Sequence, residues 1–199
     1  MAPGCHYWIY FDIETTGIDP EIDRIITIQY QTLAYDQEGR RQVWNYNGKP
    51  SSTLTILKEW ESNEKTILEE AYKALEFSNP RYRHWFEPIG NLLSFEGKFL
   101  KARMRKNGIV TDTDHIQFGQ FNVMDLRPLM ILINKGDYTT AQFFGKTGKN
   151  KMVPVWYERK EYDKILEYVQ EEAADFAKTL DYLVLNLPKH REDILALHT

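Results

Sequence analysis

The stretch Tyr7-Trp8-Ile9-Tyr10-Phe11-Asp12-Ile13-Glu14-Thr15-Thr16-Gly17 decides the fold. It opens on a nearly unbroken aromatic and β-branched run, the pattern of a strand in the middle of a sheet with both faces covered. Thr16-Gly17-Ile18-Asp19-Pro20 then breaks the strand with turn chemistry. Asp12 and Glu14 stand two apart, so their side chains leave the same face. Two neighbouring carboxylates on an apolar strand repel one another and are costly to desolvate unless a cation lies between them. The bland alternative is a pair of acids at the strand's exposed end, capping the turn.

Outward from this strand, Arg24 to Ala34 and Arg41 to Tyr46 read as the next two strands, joined through Asp36-Gln37-Glu38-Gly39. Thr53 to Trp60 adds a short one. From Asn63 to Phe77 the period becomes helical, with Ile67, Leu68, Ala71 and Leu75 on one face, Ser62 as the N-cap and Asn79-Pro80 as the stop. Trp85 to Gly90 is predicted as a strand, and Phe95 to Lys106 as a helix ended by Asn107-Gly108. A strand over His115 to Val123 and a short helix over Pro128 to Asn134 follow, then an irregular segment over 135–154. Glu161 to Leu187 is the clearest helix, with a core stripe of Ile165, Val169, Ala173, Phe176, Leu180, Leu183 and Leu187 and Pro188 as its stop. Strands first and mixed elements after imply an α/β or α+β sheet with helices on its faces.

The 199 residues suit one domain spanning 1–199, and 42% hydrophobic with 27% charged residues allows a sizeable core. The lone Cys5 permits no intrachain disulfide, which points to a reducing, cytoplasmic setting. No apolar run is long enough for a membrane span, and the N-terminus lacks the pattern of a secretory signal. A net charge of −4 excludes a wholly basic surface but leaves room for nucleic acid held by a local patch or by bound metal. Gly145-Lys146-Thr147 lacks the earlier glycine of a phosphate-binding loop, since Thr140 stands there, and the histidines show no zinc-site spacing.

Three short motifs together resemble the DnaQ-like, or DEDD, 3′→5′ exonucleases of the RNase H-like superfamily. Phe11-Asp12-Ile13-Glu14-Thr15-Thr16-Gly17 is similar to the family's first motif, whose Asp and Glu bind catalytic metal. Gly90-Asn91-Leu92-Leu93-Ser94-Phe95-Glu96-Gly97-Lys98-Phe99-Leu100 follows the second, with Glu96 where the family has Asp. A glutamate keeps the charge but sets it a methylene further out. Tyr168-Val169-Gln170-Glu171-Glu172 resembles the third motif of the tyrosine branch, again with Glu for Asp. Tyr168 and Glu172 share a helix face at i and i+4, and Asp175 at i+7 is the rival for the fourth ligand. Without the family, Glu96 reads as a helix-dipole partner and the last helix as a solvated acidic face. The whole is similar to the YprB-like group of predicted exonucleases.

The resemblance implies an RNase H-like mixed β-sheet flanked by α-helices, and a metal-dependent exonuclease acting on single-stranded 3′ ends, DNA first and RNA as an alternative. It implies Asp12, Glu14, Glu96 and Glu172 as ligands of two Mg²⁺ or Mn²⁺, which would activate water and steady the attacking and leaving oxygens. Tyr168, with an ordinary pKa of about 10, would orient that water rather than deprotonate it. Thr15, Thr16, Gly17 and Ile18 would meet the terminal nucleotide, with Ile18 wedged against its base, and Asn91 would lie with them. Arg103 is either a phosphate contact or a structural ion-pair partner. Lys98, Lys101, Arg105 and Lys106, or Lys146, Lys149 and Lys151, offer further phosphate contacts or ordinary solvated surface. A rival reading keeps the fold but makes it a binding module whose metal geometry the two glutamates have spoiled.

Overall fold

The computed structural model describes residues 6–42, 45–46, 49–50, 53–75, 88–91, 93–110, 124–136 and 149–196. Strand β1, His6–Thr15, lies at the centre of a mixed sheet. It runs antiparallel to β2, Ile25–Tyr35, whose far edge carries β3, Arg41–Gln42, and β6, Thr55–Lys58. On its other side β1 pairs in parallel with β7, Pro88–Gly90, which pairs in parallel with β8, Met124–Asp125. Strands β4, Asn45–Tyr46, and β5, Lys49–Pro50, form a separate two-stranded pair.

Parallel neighbours need long crossovers, and helices fill them. Helix α1, Glu64–Ala74, lies between β6 and β7 in the chain, and α2, Leu93–Lys106, between β7 and β8. Both pack on one side of the sheet, where Ile67, Leu68, Phe99 and Leu100 bury Phe11, Ile13 and Ile28. After β8 come α3, Arg127–Ile133, α4, Val153–Glu158, the long α5, Tyr162–Asn186, and α6, Arg191–Ala196. The apolar stripe of α5 covers the other face, with Ala173, Phe176 and Leu180 against Tyr10, Leu33 and Ile89. Ile165 and Val169 meet Ile26 and Val153 nearby. This is the expected α/β class, a mixed sheet flanked by helices.

Several local expectations change. Asn63, not Ser62, caps α1: its side chain accepts from the Thr66 amide at 2.9 Å. Helix α2 starts two residues before the predicted Phe95. The segment expected to be irregular to Pro154 contains a 3-10 turn, Lys149–Met152, and the start of α4, because proline in a first helical turn gives up an amide that has no partner there anyway. Pro188 likewise opens a 3-10 turn, Leu187–His190, that leads into α6. The predicted strand over His115 to Val123, the stop at Asn79-Pro80 and Lys146 lie outside the described residues. Among those described, no helix is long and apolar enough to cross a membrane.

Candidate metal centre

Alternation along β1 sorts its side chains. Phe11 and Ile13 enter the core under α1 and α2, while Tyr10 turns to α5 and lies 4.8 Å, ring to ring, from Phe176. Asp12 and Glu14 share Tyr10's face. One turn up α5 from Phe176, Glu172 meets them: one oxygen from each of Asp12, Glu14 and Glu172 lies within 4.8 Å of the others. Asp12 and Glu172 are buried and Glu14 is partly so. Asp175, the rival, stands apart from this group and pairs with Lys178 at 3.0 Å.

Two phenols feel the negative field. The Tyr10 hydroxyl donates to Asp12 Oδ2 at 3.3 Å, and burial followed by the charges of Asp12, Glu172 and Glu14 holds its pKa well above the ordinary range. Tyr168 is raised too, by burial first, then by the charges of Glu14, Glu172 and Asp12. It therefore keeps its proton through neutral and mildly alkaline pH. Three clustered carboxylates in a largely buried site offer oxygen donors that could hold a hard divalent cation, whose charge would offset the negative field that adds to burial in raising both phenols.

The second motif is built around a close approach. A Cβ at Gly90 would stand 2.8 Å from the Phe11 carbonyl oxygen, so only glycine lets β7 pass β1 here. Asn91 follows, half-buried, its Oδ1 buried and without a hydrogen-bond partner among the described residues. Glu96 is 4% exposed in the first turn of α2 and is not one of the three acids grouped at β1 and α5.

After β1, Thr15 donates to the Gly17 carbonyl, and Thr16 donates to Asp23 Oδ1 at 3.2 Å while accepting from the Arg24 amide at 2.9 Å. A Cβ at Gly17 would strike the Asp23 carboxylate at 2.4 Å. This loop therefore keeps a fixed shape beside the acids, with Ile18 86% and Ile22 77% exposed on it. Arg103 corrects one expectation. Its Nη2 and Nε donate to the two Glu64 oxygens at 2.6 and 2.8 Å and its Nη1 to the Pro20 carbonyl at 3.1 Å. A buried guanidinium so engaged is a structural ion-pair partner and not a phosphate contact. Lys106 donates to the Glu21 carbonyl at 2.6 Å and Lys149 pairs with Glu171 at 3.2 Å, both in exposed settings.

Sequence reasoning missed the polar residues under the acids. Gln29 pairs with Asp12 and Thr27 with Glu14 across the β1–β2 ladder, and both are fully buried. The signal was there: Thr27, Gln29 and Gln31 recur at every second position of a largely apolar strand.

No known protein-family model matches the chain, and no curated protein matches it. Among solved structures it is similar to apo exonuclease I, at 13% identity and a TM-score of 0.41 over 64% of this chain and 30% of that one. The zinc-bound form of the Escherichia coli exonuclease I complex with single-stranded DNA aligns at 13% identity and a TM-score of 0.43, over 64% of this chain and 29% of that one. The chain thus spans less than a third of the length of these proteins.

Proposed function

We propose that this chain is a metal-dependent 3′→5′ exonuclease acting on single-stranded ends, DNA first, in the cytoplasm. The observation that supports it most directly is the meeting of Asp12, Glu14 and Glu172, from a central strand and a distant helix, beneath a phenol that keeps its proton. In this reading Asp12, Glu14 and Glu172 hold divalent metal, with Glu96 serving a second ion. Mg²⁺ or Mn²⁺ would supply charge neutralisation and Lewis acidity at the scissile phosphodiester. Tyr168 donates a hydrogen bond that orients the attacking water. A phenol whose pKa is raised is no general base at neutral pH, which fits a positioning role. Thr15, Thr16, Gly17 and Asn91 receive the terminal nucleotide, and exposed Ile18 abuts its base.

The test is the shortening of an end-labelled oligonucleotide in Mn²⁺ or Mg²⁺. Asp12→Ala or a chelator should reduce it to background. Degradation that persists in both would refute the assignment, and parallel DNA, RNA and 2′-O-methyl strands would fix the sugar preference. One observation favours a second reading, a catalytically weak binding module: Glu96 lies outside the grouped acids. Oligonucleotide binding without cleavage in either metal would select it.

A further inference from the structure

The floor of the acidic group is polar where a core should be dry. Thr27 and Gln29 are each 0% exposed, yet Thr27 Oγ1 and both Gln29 amide atoms have no hydrogen-bond partner among the described residues. A buried polar atom left so is costly, and β2 could have carried valine and leucine at these positions instead. Their placement is specific. Directly opposed residues of an antiparallel pair project from the same face, so Gln29 lies beside Asp12 and Thr27 beside Glu14. On the far side of β2, Gln29 is opposed by Ile56, which offers no hydrogen-bonding group. The hydrogen-bonding capacity of Gln29 along this row therefore faces Asp12.

We infer that Gln29 and Thr27 are positioning residues for the metal-binding carboxylates. When a divalent ion occupies the group, the Gln29 amide donates to Asp12 and the Thr27 hydroxyl donates to Glu14. Each donor holds a carboxylate in the rotamer that presents its other oxygen to the ion. A carboxylate that binds metal through one oxygen leaves lone pairs on the other, and donors there fix its orientation and raise affinity. An amide and a hydroxyl suit this task better than lysine or arginine, whose charge would compete with the cation for the same oxygens. The inference rests on the proposed metal-dependent reading and adds two residues that never touch the ion.

Calorimetric titration of Mn²⁺ into the full chain, paired with thermal unfolding in chelator, tests it. Gln29→Met and Thr27→Val keep the side-chain volume and remove the donors. Gln29→Met should weaken Mn²⁺ binding about 10- to 100-fold while its metal-free melting temperature holds or rises, because an unsatisfied amide has been replaced by an apolar chain. Thr27→Val should show a smaller loss of the same kind. Unchanged Mn²⁺ affinity in both variants overturns the inference and leaves the nuclease reading standing. An affinity loss matched by an equal loss of metal-free stability also overturns it, since the role would then be structural. Absence of Mn²⁺ binding in the unaltered chain sinks the nuclease reading, and the inference with it. Should Gln29→Met not fold, Thr27→Val alone decides on the same criteria.

Discussion

Buried acids on the two faces of this sheet are handled in opposite ways. On the α1–α2 side, Glu64 is met by the Arg103 fork, by the Ile25 amide at 2.8 Å and by the Asn107 side chain at 3.3 Å. On the α5 side, Asp12, Glu14 and Glu172 are brought to one another. The first arrangement ties β2, α1 and α2 into one frame through hydrogen bonds to a single carboxylate, and Arg103 extends it to the loop at Pro20. The second concentrates like charge, which adds to burial in raising the neighbouring phenols. A protein that neutralises one buried acid so fully shows what a structural site looks like. The clustered acids instead face one another, and a divalent cation is a partner that would offset their shared charge.

Substitutions on the two sides should therefore move stability in opposite directions. Arg103→Met strands the buried Glu64 charge and should cost about 3–5 kcal/mol in denaturant unfolding, with Glu64→Gln recovering part of the loss in the double variant. Asp12→Asn, measured in chelator, should raise stability, by on the order of 1 kcal/mol, because one of three neighbouring like charges is removed. A destabilised Asp12→Asn protein would mean that its carboxylate belongs to the frame, and the contrast between the two sides would collapse.

The phenols sharpen the same contrast through pH. Tyr168 has a folded-state pKa above its ordinary value, so its contribution to stability is complete below pH about 10 and is lost as the pH rises beyond that. The unfolded chain ionises its tyrosines there, while the folded chain holds Tyr168 neutral beside Glu14 and Glu172. Phenolate absorbance from Tyr168 should thus appear only together with loss of the circular dichroism signal. Tyr168→Phe should flatten the alkaline decline of stability, and at neutral pH it should slow nucleotide release without abolishing Mn²⁺ binding. An early phenolate signal in the folded protein would show that the acids do not surround this hydroxyl.

What was legible in the sequence follows from how local the physics is. The placement of Asp12 and Glu14 on one face needs only a strand's period of two, and that of Tyr168 and Glu172 only a helix's i, i+4 spacing. The meeting of these two pairs became an expectation only through a family resemblance, because no local rule brings α5 onto β1. The fate of Arg103 was open for the same reason: its partner lies 39 residues earlier, on a different helix. Gln29 and Thr27 went unread because their meaning depends on register, and a one-residue slip would have turned both to the other face. Pro154 and Pro188 misled because proline stops a helix in its interior and begins one in its first turn.

The smallest effect isolates the frame from the metal centre. Asn63 accepts at its Oδ1 from both the Thr66 amide, at 2.9 Å, and the Thr66 hydroxyl, at 3.2 Å, and so fixes the first turn of the helix that begins with Glu64. Asn63→Ala leaves that amide without its acceptor and should cost about 1 kcal/mol of global stability. The cap touches none of the clustered acids, so the Mn²⁺ dissociation constant should stay as it was. If affinity falls along with stability, the two sides of the sheet are coupled through β2, which carries Ile25 beneath Glu64 and Thr27 beside Glu14. In that case the frame would also set the positions of the metal-binding carboxylates.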